Sequence, residues 1–273
     1  KTLVVFGGLG QRVVEVLREI FPRAPLYTSA VHRDRVSTIL SAGRVHTTFL
    51  QPLARWKGAA KLLAPMLPLA FRRFDLRGAN LVLSSSSGFA HHVRPRRGGL
   101  HICYCHTPPR FLWQPSVYFD RRTWVPKAVS PVLAFLRRRD LEAARRVDAY
   151  LANSELVARR ILATYGRSAT VIHPPVDTSL YRPTTERSGR FLVVSRLLGY
   201  KRIDVAVEAA SRLNLPLDVI GDGPDRERLH GLSGSTVRFL GRQPDDIVRH
   251  AMARCTALIL PGSEDFGLTP VEV

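Results

Sequence analysis

Residues 190–224 read RFLVVSRLLGYKRIDVAVEAASRLNLPLDVIGDGP and contain two strand signals with a helix signal between them. The apolar segment Arg190–Ser195 predicts a buried strand, the apolar spacing in Asp204–Leu213 predicts a helix, and Leu217–Ile220 predicts a second strand. Strands joined by a crossover helix are the repeating unit of α/β proteins. The stretch therefore predicts an α/β fold with a parallel sheet.

The same alternation continues toward both ends of the chain. Downstream, we predict helices over Asp225–Leu232 and Asp245–Ala253, and strands over Thr236–Leu240 and Ala257–Pro261. Upstream, we predict a helix over Gln11–Ile20 and strands over Thr2–Phe6, Pro25–Tyr27, Asn80–Ser84, Leu100–Cys105, Val147–Asn153 and Thr170–Ile172. Ser154 then predicts the N-cap of a further helix.

A polar connection near residues 181–189 separates two such blocks. The blocks predict two Rossmann-like domains, residues 1–180 and residues 190–273, with a cleft between them. The second block ends inside a helix signal, in which Thr269 is placed to cap, Pro270 takes the first helical position and Glu272 follows three residues after the cap. We therefore expect the native chain to continue and the second domain to be incomplete here.

Composition places the chain among globular proteins. Apolar residues make up 45% and charged residues 23%, which excludes bulk disorder, and 273 residues suffice for two domains. No window holds the ~18 consecutive apolar residues of a membrane-spanning helix. The three cysteines do not suit a disulfide framework, which favours a reducing cytoplasm.

A large positive charge is the most prominent bulk property, since 41 Lys and Arg against 22 Asp and Glu give a formal +19. Such an excess suits nucleic acid, anionic lipid or phosphorylated small molecules, although an arginine-dominated composition also follows from genomic base composition. The basic stretch 126–146 predicts a helix face for an anionic membrane surface, or an ordinary solvated face. No helix-turn-helix or aromatic-interleaved basic groove supports a nucleic-acid partner.

Three polar loops follow predicted strands of the second block, where α/β sheets bind ligands. In the first loop, Arg196 and Lys201 lie across a glycine-containing turn and can converge on one diphosphate, or remain solvated. In the second loop, Gly221 and Gly223 allow the backbone to approach a phosphate or base, or form an ordinary turn.

The third loop, residues 261–272, places Glu264 and Glu272 on either side of a glycine turn and a helix start. The free N–H groups of a helix N-terminus attract anions. Glu264 is suited to accept hydrogen bonds from sugar hydroxyls and Glu272 from a ribose, although a capping box at Glu272 would need no ligand.

The first block offers a glycine cluster and a histidine at a strand end. Gly7 and Gly8 precede a helix and can admit a phosphate or a sugar, or form a common turn. His106 directly follows the strand Leu100–Cys105, where an acid, a base or a hydrogen-bond donor would lie.

Cys103 and Cys105 fall on one face of that strand together with His101, His106 follows directly, and the pair His91-His92 is near in sequence. This grouping suggests zinc, but the C-x-C spacing is shorter than that of zinc sites. Buried strand cysteines are therefore the favoured interpretation.

Together these segments resemble glycosyltransferase family 4, the retaining sugar-nucleotide enzymes of the GT-B fold, and most closely its bacterial mannosyltransferase-like members. Residues 264–272, EDFGLTPVE, look like the family's paired-glutamate element, with seven residues between the glutamates. Residues 195–202, SRLLGYKR, look like its diphosphate-binding segment. Residues 105–113 (CHTPPRFLW), residues 174–178 (PPVDT) and the pair Asn153-Ser154 match further segments, whereas residues 6–11 lack the His-Asp pair often found after the first strand.

The resemblance implies a role for each matching residue. Arg196 and Lys201 would bind the donor diphosphate and stabilise its charge in the transition state. Gly7, Gly8 and His106 would line the acceptor side. The implied catalytic residues are Arg196, Lys201, Glu264 and His106, and the further donor-binding residues are Gly221, Gly223, Phe266, Gly267, Leu268, Thr269 and Glu272.

The implied reaction is transfer of a hexose, mannose from GDP-mannose, to a glycan or lipid-linked acceptor with retention of configuration. In such enzymes the acceptor attacks the face from which the leaving group departs, so no cofactor and no essential metal are expected. The implied location is the cytoplasm, peripheral at the inner face of the plasma membrane. A non-catalytic partner in polysaccharide assembly and a polyanion-binding module are the alternatives.

Overall fold

The computed structural model describes residues 2–7, 10–31, 40, 44–55, 63–115 and 130–273. The chain forms two compact units. The first comprises the described parts of residues 1–115 and 125–175, and the second contains Val176–Val273. Each unit has a parallel sheet and an apolar core of its own, which confirms the predicted α/β class.

The first unit is built on a sheet whose strands, in chain order, are β1 (Thr2–Gly7), β2 (Leu26–Thr28), β3 (Val45–Thr47), β4 (Leu81–Ser86), β5 (Leu100–Cys105), β6 (Ala149–Ala152) and β7 (Ala169–Val171). Their spatial order is β3-β2-β1-β4-β5-β6-β7, and every pair is parallel. The order changes direction between β1 and β4. In open α/β sheets, ligands bind at such a switch point, outside the carboxyl ends of the strands.

The described α-helices of this unit are α1 (Gln11–Ile20), α2 (Leu67–Arg72), α3 (Arg110–Trp113), α4 (Ser130–Ala144) and α5 (Glu155–Tyr165). The predicted cap of α5 is confirmed, because Ser154 Oγ accepts a hydrogen bond from the N–H of Val157 at 3.2 Å. The helix ends at Gly166, whose φ of 65° is the left-handed conformation that terminates many helices.

The second unit has the strands β8 (Phe191–Val194), β9 (Leu217–Ile220) and β10 (Val237–Gly241) in the parallel order β10-β9-β8. Its described α-helices are α6 (Ile203–Arg212), α7 (Arg226–Leu232), α8 (Asp245–Arg254) and α9 (Leu268–Glu272). Val193 and Val219 of the sheet, Val207 of α6 and Leu229 of α7 are fully buried together in its core. Full burial of each of these side chains stabilises the folded state by about 1.5–3 kcal/mol.

Two predictions for the second block are wrong. Ala257–Pro261 does not form a regular strand, because its pairing is limited to one isolated bridge between Leu258 and Leu192 of β8. Thr269 does not cap the last helix: Gly267 is the N-cap, with a φ of 81° and no side-chain hydrogen bond. The left-handed turn at this glycine lets the helix begin earlier than the Thr-Pro pair indicated.

Candidate functional site

The loops at the carboxyl edge of the second sheet hold one another through backbone hydrogen bonds. Ser195 N donates to Ile220 O at 3.0 Å, and Leu197 N donates to Asp222 O at 3.0 Å. Asp225 N, at the start of α7, donates back to Leu197 O at 3.2 Å. The loop that follows β8 is therefore fixed against the loop that follows β9.

Three glycines let these loops approach more closely than a Cβ would permit. A Cβ on Gly221, Gly223 or Gly262 would lie 1.8, 2.2 or 2.5 Å, respectively, from a backbone oxygen of the loop 195–201. Gly221 also has a φ of 134°, which residues with a side chain rarely adopt. The three glycines therefore allow a tight backbone junction with the loop 195–201, which carries Lys201.

Lys201 and Glu264 meet at this junction. Lys201 Nζ donates to both carboxylate oxygens of Glu264 at 2.6 Å, and the two side chains are 17% and 28% exposed. The ammonium also lies 5.4 Å from the centroid of the Tyr200 ring. Partial burial strengthens the attraction between the two charges, yet leaves both within reach of a ligand.

The other residues predicted around Glu264 lie on one short stretch of chain. A Cβ on Gly267 would lie 3.6 Å from the Cβ of Glu264, so the turn at Gly267 packs beside the carboxylate. Phe266 precedes this turn, and Leu268 and Thr269 open α9 immediately after it. Their backbone groups are thus close to the Lys201–Glu264 pair.

Arg196 and Glu272 are not joined to that pair by any contact between described side chains. Arg196 is exposed at the start of the same loop. Glu272 is the last residue of α9 and lines a depression of about 410 Å³ with Tyr181, Arg187 and Met252. The structure therefore brings together Lys201 and Glu264, whereas Arg196 lies earlier in the loop that carries Lys201 and Glu272 lies at the end of α9.

His106 of the first unit follows β5 and is held from several directions. Its N–H donates to Ser86 O at 2.8 Å, and its carbonyl accepts from Asn153 Nδ2 at 3.2 Å. Its Nε2 lies 2.8 Å from Ser85 Oγ, in a hydrogen bond whose donor depends on the tautomer. A Cβ on Gly10 would lie 2.2 Å from the same nitrogen, so the ring packs directly on this glycine.

These groups form a polar edge along neighbouring strands. Gly7 ends β1 opposite Ser86 of β4, and Asn153 follows β6, where its carbonyl oxygen lies 3.0 Å from His173 Nδ1. The second predicted glycine, Gly8, lies outside the described residues. The sequence interpretation did not select Ser85, although a run of serines at the end of a buried strand is a signal that marks this edge.

The strand cysteines are buried and free, as predicted. Burial raises the pKa of the Cys103 thiol to about 12, which makes it a poor thiolate nucleophile or metal ligand. His101 Nε2 is 2.9 Å from Ser84 Oγ, and burial lowers the pKa of this histidine to about 3. These contacts favour packing over zinc binding.

Among the described residues, the only cluster with metal-ligand geometry is His91, His92 and Asp140, all buried. Asp140 Oδ1 lies 3.1 Å from Nε2 of each histidine, and Oδ2 accepts from Trp113 Nε1 at 2.7 Å and from Tyr165 OH at 2.8 Å. Burial disfavours the Asp140 carboxylate, but His91 and the histidine contacts hold its pKa below the usual range. Burial lowers the pKa of His92 to about 4. His92, Trp113 and Tyr165 therefore form a hydrogen-bonded network around the carboxylate, whereas His91 Nε2 lies beside it without hydrogen-bond geometry.

The two parallel-sheet units have the GT-B glycosyltransferase fold, as matches to family profiles and to solved structures show. The Glycosyltransferase Family 4 profile matches residues 7–180, and the profile of Glycosyl transferases group 1 matches residues 182–273. Because the first match alone covers more than half of the chain, the protein belongs to Glycosyltransferase Family 4.

Solved structures share this fold at low sequence identity. HepE of Anabaena, in complex with UDP, is 13% identical with a TM-score of 0.57, and the match covers 96% of this chain and 74% of that one. TarM is 12% identical with a TM-score of 0.53, over 76% of this chain and 42% of TarM. UDP-N-acetylglucosamine 2-epimerase from Rickettsia bellii is 12% identical with a TM-score of 0.51, over 94% and 73%. Such likeness shows the fold alone, and the epimerase shows that the fold also serves another reaction.

No curated protein sequence matches the chain. None of the helices that the structure describes has both the length and the apolarity needed to cross a bilayer.

Proposed function

We propose that the protein transfers a hexose, mannose from GDP-mannose, to a glycan or lipid-linked acceptor with retention of anomeric configuration. The observation that carries this proposal is the Lys201–Glu264 pair at the carboxyl edge of the second sheet. One member is a cation suited to a diphosphate, and the other is a carboxylate suited to sugar hydroxyls. A sugar nucleotide presents a diphosphate and sugar hydroxyls side by side.

Donor binding would exchange the partners of this pair. Without donor, Lys201 Nζ is neutralised by both oxygens of Glu264. An arriving diphosphate would take the ammonium, and Glu264 would then be released to accept hydrogen bonds from the sugar. As the bond to the leaving diphosphate breaks, the charge that grows on it is stabilised by Lys201, assisted by the exposed Arg196.

The remaining predicted donor residues would complete the site. Gly221 and Gly223 would border the base, and the backbone of Phe266, Gly267, Leu268 and Thr269 would face the sugar. The packing of the turn at Gly267 against Glu264 supports this arrangement. Glu272 would hold the ribose, a role that would require its carboxylate to turn toward the donor.

His106, Gly7 and Gly8 would form the acceptor side. The strand-end position of His106, braced by Ser85 and Asn153, supports a role in orienting the acceptor hydroxyl. We propose that the acceptor oxygen attacks the face that the leaving group vacates, with its proton passing to the departing phosphate oxygen. Two protein cations beside the diphosphate make an essential metal unnecessary, so activity should survive EDTA.

A donor panel tests this function directly. The protein is incubated with GDP-mannose, UDP-glucose and UDP-N-acetylglucosamine and with octyl α-mannoside as acceptor, and the released GDP or UDP is measured. The UDP in the HepE complex makes the uridine donors a necessary arm. We expect release of GDP and an α-linked product by NMR, both lost in Lys201→Ala and Glu264→Ala. Absence of release from every donor, or release that survives both substitutions, would refute the proposal, and an epimerised sugar nucleotide would indicate the other reaction of this fold.

We also propose that a lipid-linked acceptor is met at an anionic membrane surface on the cytoplasmic side. The helices α2 and α4 both pack against the turn Ala90–His92, which brings arginines of separate segments together. Partial burial and the charges of Arg94 and Arg139 lower the pKa of Arg72, and Arg146 shows the same influences. Like charges this close are stabilised by an anionic surface.

Apolar side chains accompany these arginines on α4. Phe135 is 55% exposed and lies under the guanidinium of Arg139 at 5.2 Å, and Val132 is also exposed. Residues 126–129 of the predicted basic face lie outside the described residues. A mixed apolar and cationic face is suited to the interface of a bilayer.

Vesicle flotation tests the membrane proposal. Wild type should float with phosphatidylglycerol vesicles and not with phosphatidylcholine vesicles. Arg72→Ala combined with Arg146→Ala should weaken flotation about tenfold or more, at ~1 kcal/mol per arginine. The control Arg212→Ala, an exposed arginine of the second unit, should float like wild type, and equal flotation of all three would contradict the proposal. Tight, salt-dependent binding to nucleic acid without sugar transfer would favour the polyanion-binding alternative, and GT-B folding without any turnover would favour the non-catalytic partner.

A further inference from the structure

The segment that follows β5 carries His106 at its start and Trp113 at its end, and α4 holds that end at two points. Arg137 Nε donates to Leu112 O at 2.8 Å, and Trp113 Nε1 donates to Asp140 Oδ2 at 2.7 Å. Arg137 and Asp140 are three residues apart and therefore neighbours on one face of the helix. The end of the His106 segment is thus fixed to α4.

A second route joins Asp140 to His106 through β4. Asp140 Oδ1 lies 3.1 Å from His91 Nε2, an electrostatic contact without hydrogen-bond geometry, and His91 Nδ1 lies 3.4 Å from Ser86 Oγ. Ser86 O in turn accepts the backbone N–H of His106. Asp140, His91 and Ser86 are all at least 97% buried. The carboxylate is therefore connected to both ends of the segment through the protein interior.

The position of Asp140 makes these contacts rigid. The polar contacts described for its carboxylate come from two histidines, one tryptophan and one tyrosine, and the side chain is fully buried from bulk solvent. Removing a donor from a buried carboxylate leaves a charge that nothing else solvates. Each partner is consequently held in place more firmly than a partner in a surface hydrogen bond.

We propose that Asp140 is a positioning residue that sets the location of the His106 ring against Gly10 and Ser85. Asp140 touches neither proposed substrate. It acts through Trp113 on one side and through His91 and Ser86 on the other. The effect on sugar transfer rests on the function proposed above, whereas the effect on His106 does not.

Variants of two aromatic residues distinguish a positioning role of Asp140 from a purely structural role. Trp113 and Tyr165 both donate to the same atom, Asp140 Oδ2, at 2.7 and 2.8 Å. Trp113 ends the His106 segment, but Tyr165 ends α5 and has no place in that segment. Loss of either donor removes one hydrogen bond from the same carboxylate, so a stability role alone would make the two variants alike.

The experiment compares Trp113→Phe, Tyr165→Phe and Asp140→Asn. The imidazole signals of His106, assigned with His106→Gln, are recorded by NMR, and kcat and KM for transfer are measured. In Trp113→Phe and Asp140→Asn the His106 signals should shift and kcat should fall about tenfold to a hundredfold, with the donor KM within about twofold. In Tyr165→Phe the protein should lose stability but keep wild-type His106 signals and kcat.

The double variant distinguishes the effect of the smaller Phe side chain at position 113 from the effect of the lost hydrogen bond. If Trp113 acts through Asp140, the kcat losses of the two single variants will not add when Asp140→Asn and Trp113→Phe are combined. Should Asp140→Asn fail to fold, the comparison of the two Phe variants still decides. Unchanged His106 signals in Trp113→Phe, or equal shifts in Trp113→Phe and Tyr165→Phe, would overturn the proposal. A wild type without transferase activity would overturn the proposed function instead, and the NMR comparison would stand.

Discussion

The two carboxyl edges of this molecule are built from different chemistry. The edge of the first sheet carries neutral hydrogen-bonding groups around His106, namely Ser85, Ser86 and Asn153. The edge of the second sheet carries opposite charges, Lys201 and Glu264, presented by loops that glycine packs together.

The difference suits the two halves of the proposed transfer reaction. A diphosphate carries charge before and after the bond breaks, and only a cation offsets it. An acceptor hydroxyl is neutral, and it requires orientation more than charge. The charged edge is therefore held by the backbone, and the neutral edge is held by a buried side-chain network.

The largest expected effect falls on the charged edge. Lys201→Ala should lower kcat/KM for sugar transfer by about a hundredfold to a thousandfold, because the charge on the leaving diphosphate loses its nearest cation. Steady-state kinetics measures this loss of kcat/KM. Arg212→Ala removes an exposed arginine of the same unit and should leave the value unchanged. A fall of less than about threefold in Lys201→Ala would remove the functional distinction between the edges.

The backbone support of the two edges can be compared with glycine substitutions. Gly221→Ala would press a Cβ against a backbone oxygen at 1.8 Å, whereas Gly10→Ala would meet the side-chain ring of His106 at 2.2 Å. Both glycines have positive φ, but displacing the ring costs its hydrogen bond to Ser85, whereas the backbone oxygen cannot shift without moving its loop. Urea unfolding should therefore show a loss of ~3–4 kcal/mol for Gly221→Ala and a smaller loss for Gly10→Ala.

Gly231→Ala provides the control for these measurements, because a Cβ there meets nothing within 4 Å and the residue lies in α7. It should raise stability by ~0.5–1 kcal/mol. If Gly10→Ala lowered the free energy of unfolding as much as Gly221→Ala, the two edges would be equally rigid.

The first unit should also carry a pH dependence from a buried histidine. Burial, followed by the charge of His91, lowers the pKa of His101 to about 3. As pH falls from 7 to 5, this histidine takes up a proton in the unfolded chain, where its pKa is ~6.5, but stays neutral in the folded protein. The free energy of unfolding should therefore fall by ~2 kcal/mol because of this residue.

Urea titrations at pH 7 and pH 5 measure this contribution. His101→Gln should lose less stability than wild type over the same interval. Equal losses would show that His101 is not the residue held neutral in the folded protein.

The smallest expected effect concerns helix caps in the two units. Ser154→Ala removes the hydrogen bond to Val157 N and should cost ~1 kcal/mol. Thr269→Ala should cost less than ~0.5 kcal/mol, because Gly267 rather than Thr269 is the N-cap of α9. Thermal or urea unfolding of the two variants distinguishes them, and a reversed order would restore the capping role that the sequence suggested for Thr269.

Much of the fold follows from local sequence. Leu100–Cys105, Leu217–Ile220 and Gln11–Ile20 have the predicted bounds, because apolar runs and helical spacing are properties of neighbouring residues. The strand predicted over Ala257–Pro261 depended on pairing with a distant strand, and its backbone hydrogen bonds to β8 amount to one isolated bridge around Leu258. Burial and pairing across the chain are not visible in a local pattern.

The candidate site was likewise predictable only in part from local sequence. Lys201 and Glu264 stand in recognisable loops, so their position at a strand edge could be predicted, although their mutual contact could not. Asp140 gave no signal, since it reaches His92 across 48 residues and lies in a basic helical stretch. Tertiary packing alone brings it to the interior, where an isolated carboxylate would otherwise not be expected.

Calorimetric titration with GDP and with UDP measures whether the Lys201–Glu264 pair binds the nucleoside diphosphate. We expect Lys201→Ala to weaken binding of the preferred nucleotide at least about tenfold. We also expect Glu264→Gln to bind at least as tightly as wild type, because no carboxylate then competes for the Lys201 ammonium. Equal affinities in wild type and both variants would contradict the assignment of this pair to the donor.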